Sequence, residues 1–197
     1  YELRDSTNVK VTNKCLTGIW ARLMDTANKI DPLIHVCSSS EVFGRVPKEQ
    51  LPIREEAPFH PASPYAISKI GTDCLGRFHA EAYNQKVLVT RMFTHTGPRR
   101  GDVFAESSFA KQIAMIEAGL IPPIVKTGNL ESLRTWSDVR DAVRAYFMLL
   151  TSNPLPGEVY NIGGTFSCSV REMLNFLVSI STSKNEIKIE MENERLR

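Results

Sequence analysis

Leu33-Ile34-His35-Val36-Cys37-Ser38-Ser39-Ser40-Glu41 is the stretch whose reading decides the fold. Its first five residues form a short apolar run of the kind that makes a strand buried on both faces, as strands of parallel sheets are. The run ends in three serines and a glutamate, so polar side chains stand at the carboxyl edge of the strand. Upstream, apolar residues from Val9 to Ile30 (Leu16, Ile19, Trp20, Leu23, Met24, Ala27) recur at helical spacing until Asp31-Pro32 ends the segment. Downstream, Gly44, Pro47, Pro52, Pro58, Pro61 and Pro64 predict an irregular surface segment that Pro64 closes as a first helical residue. The spacing then predicts a helix over Tyr65–Tyr83, with Ile67, Cys74, Leu75, Phe78 and Ala82 on its apolar side. A strand over Lys86–Phe93 follows and runs into Thr94-His95-Thr96-Gly97-Pro98-Arg99-Arg100-Gly101.

The alternation continues to the end of the chain, with helices expected near 104–118, 138–151 and 170–180 and strands near 124–126, 159–162 and 186–190. Such a pattern predicts an α/β fold with a mainly parallel sheet. None of the 11 glycines sits in a Gly-rich turn between a first strand and a helix, the usual seat of a dinucleotide's pyrophosphate. The expectation is therefore that the chain begins inside a domain. Asn193–Arg197 also stop without a helix or strand ending, which fits a fragment of a longer chain.

With 197 residues, 42% hydrophobic and 23% charged, the chain has apolar material for a real core. A formal charge of +2 implies neither a nucleic acid nor a membrane as partner. Cys15, Cys37, Cys74 and Cys168 form no CxxC pair and have no His at ligand spacing, which argues against a metal site or a disulfide framework. A reduced, cytoplasmic compartment is expected, and Tyr1-Glu2-Leu3-Arg4-Asp5 is not a signal peptide.

Tyr65 and Lys69 stand four residues apart, on one helix face and one turn from each other. Free tyrosine titrates at about pH 10, and a nearby ammonium favours the phenolate, so the pair suits proton transfer. Taken alone it suits a solvated helix face equally well. Glu41 alone reads as a solvent-facing carboxylate or an amide cap, His95 as a satisfied loop histidine, and Arg99-Arg100 as a solvated basic pair. Asp138 and Asp141 read as a helix N-terminal charge and a packing salt bridge.

Together, the strand-end serines, the Ser63-Pro64 entry and the Tyr65–Lys69 spacing resemble the extended short-chain dehydrogenase/reductases over roughly residues 10–197. That family comprises sugar-nucleotide epimerases, dehydratases, decarboxylases and reductases. The resemblance implies a Rossmann-like, doubly wound parallel sheet, here without its N-terminal part, and a small C-terminal substrate-binding domain. About 1–100 would form the second half of the Rossmann domain, and about 101–197 would interleave with the substrate domain. It implies NADP as cofactor, with NAD possible, and a homodimer or homotetramer. By the same resemblance Ser39 holds a substrate hydroxyl, Tyr65 moves its proton, Lys69 holds the nicotinamide ribose, and Ser38 lies at the cofactor.

Ser38–Gly44 is similar to the strand-end motif of the 4,6-dehydratases of that family, in which the Glu at the position of Glu41 removes the C5 proton and helps expel the C6 hydroxyl. Some decarboxylases and reductases carry an acid there too. Phe93–Gly101 resembles the loop of the GDP-mannose 4,6-dehydratases, which gives His95 and Arg100 dinucleotide contacts. Thr94 replaces the usual Asn at a substrate contact. Gly128–Asp141 resembles the same group, whose Arg before the aromatic residue binds the nucleotide diphosphate; that position is Arg134, and a planar guanidinium suits a diphosphate. Ser40 and Lys111 are further implied contacts to a GDP-sugar. Two rivals remain. Phe109–Ile113 and Gly128–Glu131 also resemble the GDP-4-keto-6-deoxymannose reductases, and a non-catalytic nucleotide-sugar-binding regulator has the same fold, although the intact set Ser39, Glu41, Tyr65 and Lys69 argues against it.

Overall fold

The structure is a computed structural model that describes residues 30–192. The helix expected from Val9 onward and the chain end at Asn193–Arg197 lie outside the described residues. Two compact units are present. The first comprises the described residues up to Phe93 together with Asp141–Gly163, and the second comprises Thr94–Arg140 with the described residues from Gly164 onward.

The first unit is a parallel sheet in the order β1 (Ile34–Ser39), β2 (Val87–Met92), β6 (Val159–Ile162). Register runs from Ile34 opposite Val87 to Ser39 opposite Met92, and from Val89 opposite Val159 to Met92 opposite Ile162. All six residues of β2 are buried, as its β-branched, apolar sequence demands of a strand covered on both faces. Val87, Val89 and Arg91 meet helix α1 (Pro64–Tyr83), while Thr90 faces away from it, towards His35 of β1.

Helix α1 begins with Ser63 as cap, its hydroxyl accepting the Ala66 N–H at 3.1 Å, and with Pro64 in the first turn. It ends at Asn84 in the left-handed conformation (φ 52°). Its buried face differs from the one the apolar pattern predicts. Ala66, Asp73, Gly76 and Ala80 are buried, whereas Ile67, Cys74, Phe78 and Ala82 are exposed. Closeness is the physical reason: a Cβ added to Gly76 would lie 3.0 Å from Val36 Cγ2 and 3.3 Å from Val87 Cγ1. Only small residues fit where the helix backbone rests on the strands, so the large apolar side chains turn outward.

The charged members of this interface pair with each other. Arg91, 2% exposed, donates from Nε and Nη2 to the fully buried Asp73 carboxylate at 2.8 and 3.0 Å, and Arg77 adds a third contact at 3.0 Å. The Arg91 guanidinium lies against two adjoining rings, Phe43 (5.3 Å) and Phe59 (4.8 Å), whose centres are 6.3 Å apart, and its Nη1 donates to the Glu55 carbonyl at 2.6 Å. The Pro-rich segment is tied to the strand ends at further points. Glu55 accepts the Asn161 N–H at 2.7 Å, Asn161 donates to the Ile53 carbonyl at 3.1 Å, and His60 N–H donates to the Val42 carbonyl at 2.9 Å.

In the second unit β4 (Ile124–Thr127) pairs in parallel with β8 (Lys188–Met191). A second sheet, β3 (His95–Thr96), β5 (Leu133–Asp138), β7 (Phe166–Ser169), pairs β3 with β5 in parallel and β5 with β7 antiparallel. Strands β5 and β7 do not follow from the apolar pattern, because most of their residues are polar or exposed; ladder hydrogen bonds rather than burial define them. The helices α2 (Ala105–Glu117), α3 (Val139–Thr151) and α4 (Val170–Ser179) fall where the spacing predicts them. A reciprocal Ser169–Glu172 capping box starts α4. Phe109, Ile113, Ile116, Val125, Leu130, Val170 and Leu174 form the core of this unit.

Removing one partner of a buried ion pair leaves the other charge buried and alone, at a cost of about 3–5 kcal/mol. Asp73→Ala is expected to lower the unfolding free energy by that amount in chemical denaturation. Asp102→Ala, which breaks the exposed Lys111–Asp102 pair, is expected to leave it unchanged; equal effects of the two substitutions would show that Asp73 is not an anchor.

Candidate active site

Within the first unit, β1 passes directly into a turn of 3-10 helix over Ser40–Phe43. Ser39 caps this turn with its Oγ, which accepts the Glu41 N–H at 3.2 Å. Ser40 is the first residue of the turn. Val42 and Phe43 are buried, at 0% and 1% exposure, while Glu41 beside them is exposed. The turn is thus held from below and presents one carboxylate outward. Gly44 closes it at φ 61°, against the His60 carbonyl, which would lie 1.8 Å from any Cβ at that position. Ser38 Oγ is buried and has no hydrogen-bond partner among the described residues.

Tyr65 stands in the first turn of α1 and is 45% exposed. Lys69 lies one turn on, with its Nζ 5.6 Å from the centre of the Tyr65 ring, and it donates to the Cys37 carbonyl at 2.8 Å. That bond ties the Tyr65–Lys69 face of α1 to β1 two residues before Ser39. The structure therefore brings Ser39, Glu41, Tyr65 and Lys69 together on one strand end and one helix start.

On the face of β2 away from α1 lies a floor that the sequence does not announce. Thr90 is the register partner of Cys37, and its hydroxyl is 2.8 Å from His35 Nε2. The Tyr146 ring from α3 packs edge-on against His35 at 4.8 Å. Burial holds the His35 imidazole below its usual range. Burial pushes the Tyr146 phenol up, reinforced by the neighbouring Cys37 and Tyr65 and opposed by a hydrogen bond from Thr90. Burial likewise raises the Cys37 thiol, against a downward pull from the Lys69 ammonium. At neutral pH these three groups are uncharged.

The other implied site residues belong to the second unit. The Thr94 carbonyl accepts from the N–H and hydroxyl of Ser137 at 3.1 and 3.2 Å. His95 is half-buried in β3, and its carbonyl accepts from Arg100 Nη1 at 2.6 Å. Arg100 also forms an ion pair with Glu106 at 2.6 Å and stacks over Phe104 at 3.7 Å, so it shapes its own loop. Lys111 pairs with Asp102 on the surface at 2.6 Å. Arg134 is exposed on β5 with no ion-pair partner among the described residues. Arg140 holds the Asp138 carboxyl well below the usual carboxylate range through its guanidinium and its backbone N–H. Among the described residues no group of three or more His, Cys, Asp and Glu is placed to hold a metal ion, and no helix is long and apolar enough to cross a membrane.

The family model described as GDP-mannose 4,6 dehydratase matches residues 11–197. The chain belongs to that family. It is 37% identical over 150 residues to a GDP-6-deoxy-D-mannose reductase from Pseudomonas aeruginosa, covering 76% of this chain and 49% of that one. To a GDP-mannose 4,6-dehydratase from Vibrio cholerae it is 32% identical over 155 residues, covering 79% and 39%. The solved structure of RMD from Pseudomonas aeruginosa complexed with NADPH superposes with a TM-score of 0.74 at 34% identity, covering 83% of this chain and 55% of that one. The fold is accordingly an α/β, Rossmann-like one. The chain spans about half or less of the length of these relatives.

Arg91, Asp73 and the floor of His35, Thr90 and Tyr146 carry no motif, but one signal was available in the sequence. An arginine inside the otherwise apolar run Val87–Met92 has to be paired once buried.

Alkylation of a thiol proceeds through its thiolate. Replacing Lys69 by Met removes the downward pull that its ammonium exerts on the Cys37 thiol. Iodoacetamide should then modify Cys37 more slowly at neutral pH, with the exposed Cys74 unaffected as internal reference. Peptide mass mapping reads both rates; an unchanged or faster Cys37 rate would overturn the electrostatic assignment.

Proposed function

We propose that the chain is the working part of a GDP-mannose 4,6-dehydratase, a cytoplasmic lyase that converts GDP-mannose to GDP-4-keto-6-deoxy-mannose. The observation that carries this reading is the capped turn that presents Glu41 two residues beyond Ser39 and beside the Tyr65–Lys69 pair. A simple 4-epimerisation has no need of a carboxylate there; a dehydration has.

A nicotinamide dinucleotide fits the residues present. Lys69 has three ammonium donors, of which the Cys37 carbonyl takes one, so two remain for a ribose diol, and Ser38 and the His95–Arg100 loop are the further contacts proposed. NADP is the proposed cofactor, in keeping with the NADPH complex of the relative, with NAD as alternative. Held there, a nicotinamide would supply a hydride acceptor for C4 and a hydride donor for C6, with no net redox change.

The remaining steps belong to the protein. Because Ser39 Oγ accepts the Glu41 N–H, its own O–H stays available to donate to the substrate oxygen at C4. Tyr65 removes the O4 proton, and the Lys69 ammonium above its ring stabilises the negative charge that makes this possible. Once C4 is a ketone, the C5 proton is acidic. Glu41 takes that proton and delivers it to the C6 hydroxyl, which departs as water and leaves a C5–C6 double bond; hydride addition at C6 is completed by a proton at C5, which balances the O4 proton taken up by Tyr65. Arg134, with free planar donors, is the proposed diphosphate ligand, and Ser40, Thr94 and Lys111 are proposed sugar or nucleotide contacts. In this reading the first unit is the catalytic half and the second contributes the substrate-binding side. The outward apolar side chains Ile67 and Phe78 of α1 suit a second copy, which makes a homodimer, or a homotetramer built from it, the proposed assembly. Neither a nucleic acid nor a membrane is among the proposed partners.

A second reading, the GDP-4-keto-6-deoxymannose reductase, is favoured by the 37% identity to the Pseudomonas aeruginosa relative. Incubating the full-length enzyme with GDP-mannose and no added reductant separates the two. A 4-keto product is expected, and its absence, with consumption of one NADPH per 4-keto-6-deoxy sugar, would replace the dehydratase by the reductase. Glu41→Gln is expected to slow dehydration roughly 100- to 10,000-fold while GDP-mannose still binds; full activity in that variant would remove Glu41 from the mechanism.

A further inference from the structure

We infer that Arg91, packed against the adjoining rings of Phe43 and Phe59 and paired with Asp73, is a positioning residue that fixes Glu41 for proton transfer at C5 and leaves the Tyr65 step untouched. The inference rests on the dehydratase reading and deepens it.

Glu41 itself is exposed and touches none of these groups, so its placement has to come through the backbone of its own turn. That turn is only four residues long, and its last residue is Phe43. The Phe43 ring is packed by Phe93 at 6.4 Å, by Phe59 at 6.3 Å and by the Arg91 guanidinium at 5.3 Å. Arg91 in turn is held at four points: two of its nitrogens are on Asp73, a third is on the Glu55 carbonyl, and the Phe59 ring, next to that of Phe43, lies 4.8 Å from it. A guanidinium beside aromatic rings is attracted to them, and more so where water is excluded. Val42 adds a second tether through its carbonyl to His60, and Ser39 a third at the start of the turn. Two of the three tethers, Phe43 and Val42, lie on the side of the turn opposite the carboxylate. The cluster therefore sets where Glu41 begins.

Tyr65 is placed by other means: the Ser63 cap, Pro64 and the Lys69 bond to Cys37. Loosening the Arg91, Phe43 and Phe59 cluster should accordingly affect one proton transfer and spare the other. A displacement of about 1 Å costs up to roughly a hundredfold in rate.

Phe59→Leu keeps the ion pair, Phe43 and every group proposed to touch substrate, and removes the ring that packs against both Arg91 and Phe43. In the full-length enzyme it is expected to lower kcat for dehydration roughly 10- to 100-fold with KM for GDP-mannose within about twofold, and to unmask an isotope effect with substrate deuterated at C5 while that for substrate deuterated at C4 collapses. Phe59→Tyr, which keeps the ring, is expected to restore wild-type isotope effects. Amide hydrogen exchange of Glu41–Gly44 should quicken in Phe59→Leu and not in Phe59→Tyr, a reading that needs no turnover. A kcat loss with unchanged C5 and C4 isotope effects, or unchanged amide exchange over Glu41–Gly44, would overturn the inference and leave Arg91 a purely structural residue. If the wild-type enzyme gives no 4-keto product, the dehydratase reading fails first; the exchange measurement then still decides whether the cluster holds the turn.

Discussion

The buried ion pair between Arg91 and Asp73 is the constraint on which the first unit depends. A charge in the middle of a strand and another in the middle of a helix are each unfavourable in an apolar layer, and they are tolerable only face to face. Their pairing fixes the rotation of α1 about its axis, since Asp73 has to point at β2. The same rotation sets Tyr65 and Lys69, two turns and one turn N-terminal to Asp73, at the carboxyl edge of the sheet. The spare donor of Arg91 and its contacts with the Phe43 and Phe59 rings then gather the Pro-rich segment, which has little regular structure of its own. One pair thus orders a strand, a helix and a loop.

Much of this arrangement was legible in the sequence. The run Leu33–Cys37, the Ser63-Pro64 entry and the strand Val87–Met92 reported their elements through apolar runs and turn chemistry, and the Ser39, Glu41, Tyr65 and Lys69 set was readable from spacing and resemblance. Where the reading failed, the reasons are physical. The apolar stripe of α1 pointed to Ile67 and Phe78 as core, but helix-to-sheet distance selected for small size instead, and hydrophobicity carries no information on distance. Strands β5 and β7 were invisible because a ladder in a sheet with exposed, polar strands leaves no periodic apolar trace. The His35, Thr90 and Tyr146 floor is assembled from three elements far apart in the chain, so no local window contains it.

Charge is distributed unevenly around Lys69. Beneath it lie an imidazole, a thiol and a phenol that could each ionise, yet burial biases all three towards neutrality. The ammonium therefore faces a surface without competing anions. A carboxylate in place of Cys37 or Thr90 would draw Lys69 into a local ion pair, and the helix face would lose its positive edge.

The tethering of the loop between the turn and α1 is also uneven. Gly44 is pressed on the His60 carbonyl and Ile53 and Glu55 are bound to Asn161, while residues 45–52 are almost all exposed and make no such bonds. Lengthening a loop costs little entropy when its ends are already pinned. This window is thus a place where the chain can take up insertions without disturbing the geometry on either side. Length variation would be cheapest here, because a single glycine and a single carbonyl mechanically uncouple the window from the turn before it.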